Sequence, residues 1–204
     1  MAQDSNAVDS GLHEPSFNDA LYATLWFETG GRFDPNDPGC IHGTDRLKCG
    51  TSGGVNDHGG NTKYGISKAS HPNVDIDALD LNGAAKIWFD EYWVSVGAQQ
   101  LPGNVVAYLF DFAGTSGTNT ARKILQRAVG VVADGVFGAA THAAVAKADI
   151  KLVLASLKDQ RRAYYQAIAD HNPSQTEFLN GWDVRADTYL YQLTRLKGVY
   201  NHGS

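Results

Sequence analysis

Long apolar runs are missing from this sequence. None of its 204 residues belong to a stretch approaching the roughly 20 apolar positions that a bilayer-spanning helix needs, so no membrane span is expected. The opening MAQDSNAVDSGLHEP has neither a basic end nor an apolar segment of signal-peptide type, and it suggests no Sec route. Basic charge is also scarce. Seventeen Lys and Arg against 22 Asp and Glu leave a formal charge of -5, which argues against nucleic acid as the partner because phosphate binding needs a basic face. Cysteine occurs only twice, as Cys40 and Cys49, both in one glycine-rich loop. That rules out a disulfide-built scaffold but leaves a small ring between the two in an oxidising compartment, or a reduced pair elsewhere.

What is present is globular. With 43% hydrophobic and 10% aromatic residues the chain can bury a substantial core, as one large domain or two small ones. Residues 1–15 are polar and without period and are expected to form a flexible tail. Ser16 with Asp19 three residues on predicts a helix start, and the apolar spacing carries that helix through Leu21 and Leu25 to the break at Thr29-Gly30-Gly31. A glycine- and proline-rich stretch follows, from 32 to 63, with almost no apolar period; a loop of that length in a compact domain is usually functional. TKYGIS reads as a short β element, and helical spacing resumes through Ala84, Trp88, Tyr92 and Val96. The remainder reads as helices: one through Val105, Leu109 and Phe112, one through Ala121, Ile124 and Leu125, and one through Val153, Leu157, Tyr164 and Ile168. A last helix is predicted from a capping box at Ser174 and Glu177. The expected fold is mainly α, with one short β element and a long loop in the N-terminal half.

Glu28 stands at the end of the first apolar helix. A carboxyl group there is open to partial burial, which suits a general acid, and Gly30 and Gly31 beside it let a bulky ligand approach the backbone. Asp34, Asp37 and Asp57 in the following loop are candidate second carboxylates, and a pair of carboxyls with separate roles is what glycoside hydrolysis requires. The competing reading of the same residues is an exposed glutamate in a last turn and aspartates that serve turns.

The ordered motifs E-x-G-G at Glu28 to Gly31, N-D-x-G-G at Asn56 to Gly60 and T-x-x-G-I-S at Thr62 to Ser67 resemble the catalytic region of glycoside hydrolase family 108, the N-acetylmuramidases of phage endolysins and related bacterial proteins. LPGNVVAYLFDFAGTSG and ARKILQRAVGVVADGVFGAATHAAV are similar to the predicted peptidoglycan-binding region that completes that family. The resemblance spans about residues 16–200 and implies a lysozyme-like fold, with a catalytic region at 16–100 and a helical binding region at 101–204 packed as one unit. It implies hydrolysis of the bond between N-acetylmuramic acid and N-acetylglucosamine, peptidoglycan as the partner of a monomer, and no cofactor.

By the same resemblance Glu28 is the catalytic glutamate, and Asp57 and Thr62 hold the attacking water. The sequence departs from the family pattern between them, because both NDPG at 36–39 and NDHG at 56–59 claim one place, so Asp37 competes with Asp57. Register with Thr62 and the Gly65-Ile66 step favours Asp57. Tyr64 is a candidate for lining the sugar cleft, since flat rings stack on sugars; Trp88, Trp93 and Trp182 fit a core better. The inserted loop carries Cys40, His42, Cys49 and His58, compatible with a Cys40–Cys49 disulfide, with free thiols or with zinc, although the paired spacing of zinc fingers is missing and no metal is expected in catalysis. Asp134-Gly135 and Gly138 read as a turn between helices, with glycan binding as the alternative. An interbacterial toxin or wall remodeler would carry the same site, and a vestigial glutamate would make the chain a binding module. Delivery to the periplasm is expected to depend on a holin or a secretion machine.

Overall fold

The computed structural model describes residues 16–28, 31, 33 and 62–200. The predicted tail and nearly all of the long loop fall outside the described residues. The fold is mainly helical, with seven α-helices and one two-stranded antiparallel sheet among the described residues.

Helix α1, Phe17–Glu28, begins where the sequence predicts it. Asp19 accepts from the Ser16 backbone N–H at 2.8 Å while the Ser16 hydroxyl accepts from the Asp19 N–H at 3.2 Å, a reciprocal cap that satisfies two end donors at once. Ala20, Leu21, Ala23, Thr24 and Leu25 form its buried face. Past its end, Gly31 (φ +86°) returns its N–H to the Trp26 carbonyl at 2.7 Å.

Strands β1, Thr62–Lys63, and β2, Ile66–Ser67, pair with Thr62 opposite Ser67 and Lys63 opposite Ile66. The two turn residues, Tyr64 (φ 52°) and Gly65 (φ 75°), are both left-handed, the geometry whose twist matches a two-residue hairpin. A non-glycine residue there costs roughly 1–2 kcal/mol, and burial of the tyrosine ring offsets it.

Helix α2, Leu81–Ile87, is capped by Asp80, which accepts from Gly83 N–H at 2.7 Å. The continuous helical spacing expected through Val96 is not kept. From Trp88 to Trp93 the backbone widens into a π-helical turn, and the Val94 N–H reaches back to the Phe89 carbonyl at 3.0 Å. The widening directs Phe89 and Trp93 at Phe17, whose ring lies 5.1 and 5.6 Å from theirs, edge to face.

Helix α3, Gly103–Ser116, is buried from Val105 to Ala113 on all sides, as expected for the central helix of a helical domain. Helices α1, α4 (Thr118–Ala128), α6 (Ile150–His171) and α7 (Thr176–Tyr200) pack around it. Trp88 lies so close to Gly114 that a Cβ there would sit 2.7 Å from its ring, so glycine is required at that crossing. The capping box predicted at Ser174 and Glu177 is corrected. The Ser174 hydroxyl donates to Asn172 Oδ1 at 2.8 Å, a 3-10 turn spans Pro173–Gln175, and α7 starts at Thr176. No described helix is long and apolar enough to cross a membrane.

The turn between α4 and α5 (Ala139–Lys147) is built on Gln126. Its buried amide accepts from Gly135 N–H at 2.7 Å and donates to Asp134 Oδ1 at 2.7 Å and to the Val136 carbonyl at 2.9 Å. The Val136 N–H, and then the Gln126 amide, hold the Asp134 carboxyl below its ordinary value. Gly135 is left-handed (φ 82°), and any Cβ would collide with Asn119 Oδ1. This is the turn read from the sequence.

Candidate active site

Glu28 is the last residue of α1, where the exposed carbonyls of the helix end disfavour a carboxylate, and a cationic partner removes that penalty. The partner is Arg185 of α7, whose Nη1 donates to Glu28 Oε1 at 2.6 Å. The Glu28 side chain keeps 30% of its surface exposed while that of Arg185 keeps 9%. The carboxylate thus faces solvent from a buried support.

That support runs deep. Arg185 grips Asp111 of α3 with its other donors, Nη2 to Oδ1 at 2.7 Å and Nε to both carboxylate oxygens at 3.1 Å. Asp111 is wholly buried and also accepts from Arg161 Nη2 at 2.7 Å and from the Thr24 hydroxyl at 3.0 Å. Burial alone would raise the Asp111 carboxyl, but Arg185 and Arg161 more than cancel it and hold the group below the usual carboxylate range. Attraction to Asp111 likewise outweighs burial at both guanidiniums and keeps them charged, with Glu28 adding to the effect at Arg185. Arg161 lies against the rings of Tyr108, Phe112 and Tyr165, 5.3 to 5.5 Å from their centroids, and Nε donates to the Tyr165 hydroxyl at 2.9 Å.

The hairpin forms the other flank. Trp88 Nε1 donates to the Tyr64 carbonyl at 2.9 Å. A Cβ on Gly65 would lie 2.9 Å from the Trp88 ring and 3.6 Å from Glu28 Cγ, so the glycine lets the hairpin tip settle between the indole and the glutamate. The structure therefore brings Glu28 together with the hairpin that carries Thr62. Asp57 and its rival Asp37, together with Asp34, Gly30, Cys40, His42, Cys49 and His58, lie outside the described residues.

One expectation changes. Tyr64 is fully buried, so its ring has no face open to a sugar and serves the core beneath the hairpin instead of lining a cleft. At Gly31 the space a Cβ would fill is already taken by the Trp26 indole, 3.0 Å away, so the missing side chain accommodates the protein's own ring. Trp88 is core as expected, at 2% exposure. Among the described residues no group of three His, Cys, Asp or Glu could hold a metal ion.

Arg185, Asp111, Arg161 and Thr24 were not singled out from the sequence. One signal for them was present: Asp111 is the only charged residue in the run VVAYLFDFAG, and a carboxylate inside a helix buried all round requires buried cations.

A partly exposed glutamate at a helix end, flanked by a β-hairpin and enclosed by helices, fits a glycoside hydrolase of lysozyme-like fold. The family described as Glycosyl hydrolase 108 matches residues 21–117, and the one described as Predicted Peptidoglycan domain matches residues 120–187. A solved structure, that of Brucella abortus SagA, is similar at 30% identity over 75% of this chain and 88% of that one, with a TM-score of 0.61. Among curated proteins no match is found. The chain belongs to glycosyl hydrolase family 108, and it is a muramidase that hydrolyses peptidoglycan.

Proposed function

We propose that the chain cleaves the β-1,4 bond from N-acetylmuramic acid to N-acetylglucosamine by acid/base catalysis, as an endolysin-type lysozyme acting on the periplasmic wall after release by a holin or a secretion machine. Glu28 donates the proton to the leaving oxygen, Asp57 orients or deprotonates the water, and Thr62 helps to hold that water. Residues 16–100 supply the acid and the water site, residues 101–204 pack against them as one unit, and the protein works as a monomer. The observation that carries this reading is Glu28 itself, partly exposed beside the hairpin and held at 2.6 Å by a buried arginine.

Glu28→Gln keeps the shape of the acid and cannot donate a carboxyl proton. It is expected to lower turnover on purified peptidoglycan at least about a hundredfold with the fold retained. Reducing sugar release measures the rate, and mass spectrometry of the fragments identifies which sugar carries the new reducing end. Near-normal release by the variant removes Glu28 from the mechanism, and N-acetylglucosamine at the new reducing end excludes the muramidase bond.

A further inference from the structure

We propose that Arg185 is the positioning residue of Glu28, so that helix α7, part of which lies in the Predicted Peptidoglycan domain, completes the active site of the glycosyl hydrolase region. The proposal rests on Glu28 being the proton donor.

Charge balance supplies the first reason. Asp111 sits between two buried guanidiniums, Arg161 and Arg185, and one carboxylate between two cations leaves a unit of positive charge in a low-dielectric interior. Glu28, at the exposed end of the cluster, supplies the balancing negative charge when it gives up its proton. Arg185 therefore belongs to the site and does more than neutralise Asp111, which Arg161 already pairs.

Geometry supplies the second. Nε and Nη2 of Arg185 are both engaged by Asp111, and a planar guanidinium gripped on two donors has its third direction fixed. That direction is Nη1 toward Glu28 Oε1. Asp111 is in turn held by Arg161 and by the Thr24 hydroxyl. A glutamate at a helix end would otherwise rotate freely about its side-chain bonds. Here it is confined between Gly65 and Arg185.

The chemical consequence follows from where charge develops. The proton leaves Glu28 Oε2 for the glycosidic oxygen, the bond from that oxygen to the anomeric carbon breaks with its electron pair staying on the oxygen, and a water oxygen bonds to that carbon as the water gives up a proton. Negative charge appears on Glu28 as the proton departs, and Arg185 meets it already in place, with no reorganisation. The contact strengthens in the transition state, so it acts on kcat and leaves substrate affinity nearly unchanged.

Arg185→Lys keeps the charge but has one nitrogen where the fork had three, so it cannot grip Asp111 and hold Glu28 together. A fall in kcat of about ten- to a hundredfold is expected, with KM within about twofold and cooperative melting retained. The same substitution is then made in Glu28→Asp, whose shortened carboxyl no longer reaches Nη1; there it should lower kcat by less than about threefold, because residues that act through one another are not additive. Wild-type kcat in Arg185→Lys overturns the proposal, as does a loss confined to KM or an undiminished loss in the Glu28→Asp background, which would mark a merely structural arginine. Should Arg185→Lys melt without cooperativity, Thr24→Val takes its place: a drop of about threefold in kcat at constant KM is expected, and no change refutes the idea. Full turnover by Glu28→Gln sinks the donor reading itself, whereas an inactive Glu28→Gln beside a fully active Arg185→Lys sinks only this inference.

Discussion

Two of the polar centres buried among the described residues differ in what they leave over. At the α4–α5 turn, Gln126 meets the backbone of residues 135 and 136 and the Asp134 carboxylate, and its donors and acceptor are matched within the turn. At Asp111, two arginines surround one carboxylate, and a donor of Arg185 extends outward to Glu28 at the surface. The first centre closes a loop. The second passes its order on to a group that can react. A fully matched polar cluster rigidifies the fold, while an unbalanced one must find its counter-charge at the boundary with solvent, where substrate arrives.

Breaking the second centre should have the larger effect. Asp111→Ala leaves two buried guanidiniums without their shared partner and is expected to cost about 3–5 kcal/mol in urea unfolding. The same group predicts acid sensitivity. Its folded carboxyl titrates below the ordinary 3.8, so its contribution to stability is fully present above that value and is lost as pH falls from there through the lowered folded value. Unfolding free energy measured from neutral to strongly acidic pH should fall through that window in the wild type, and the part due to this group should be missing in Asp111→Asn.

The water side of the site sharpens the comparison next. Asp57→Asn is expected to lower turnover about a hundredfold, on the usual scale for a general base, while Asp37→Asn leaves the rate within about threefold. Reducing sugar assays on both variants decide it, and the reverse ranking moves the second carboxylate to NDPG. The smallest effect is expected at the closed centre. Gln126→Leu orphans the Gly135 N–H and should cost about 1–3 kcal/mol of stability, with kcat per folded molecule unchanged. A loss of kcat there would show that the turn, too, reports to the active site.

Much of the scaffold was legible because it is local. The reciprocal cap of Ser16 and Asp19, the short β element at TKYGIS and the spacing of α3, α4 and α6 all depend on neighbours within a few residues. The exceptions have local competitors. Ser174 looks like a cap until Asn172 captures its hydroxyl, and Trp88 to Trp93 look α-helical until Phe17 offers them a partner across the fold. Tyr64 shows the limit of composition: an aromatic beside a glycine step suits a sugar platform as well as it suits a core, and burial chose the core.

By itself the sequence determined that Glu28 ends an apolar helix and that a short β element bearing Thr62 follows the loop, since backbone torsions and close neighbours encode both. Only the tertiary structure decided which groups stand around the glutamate. Arg185 lies 157 residues away in the chain, and Asp111 and Arg161 meet it through helices whose crossings depend on the packing of Trp88 on Gly114 and of Tyr189 on α1. No periodicity records such a meeting, because an ion pair between distant segments requires the whole core to bring their helices within reach, and the low dielectric of that core makes the pairing obligatory.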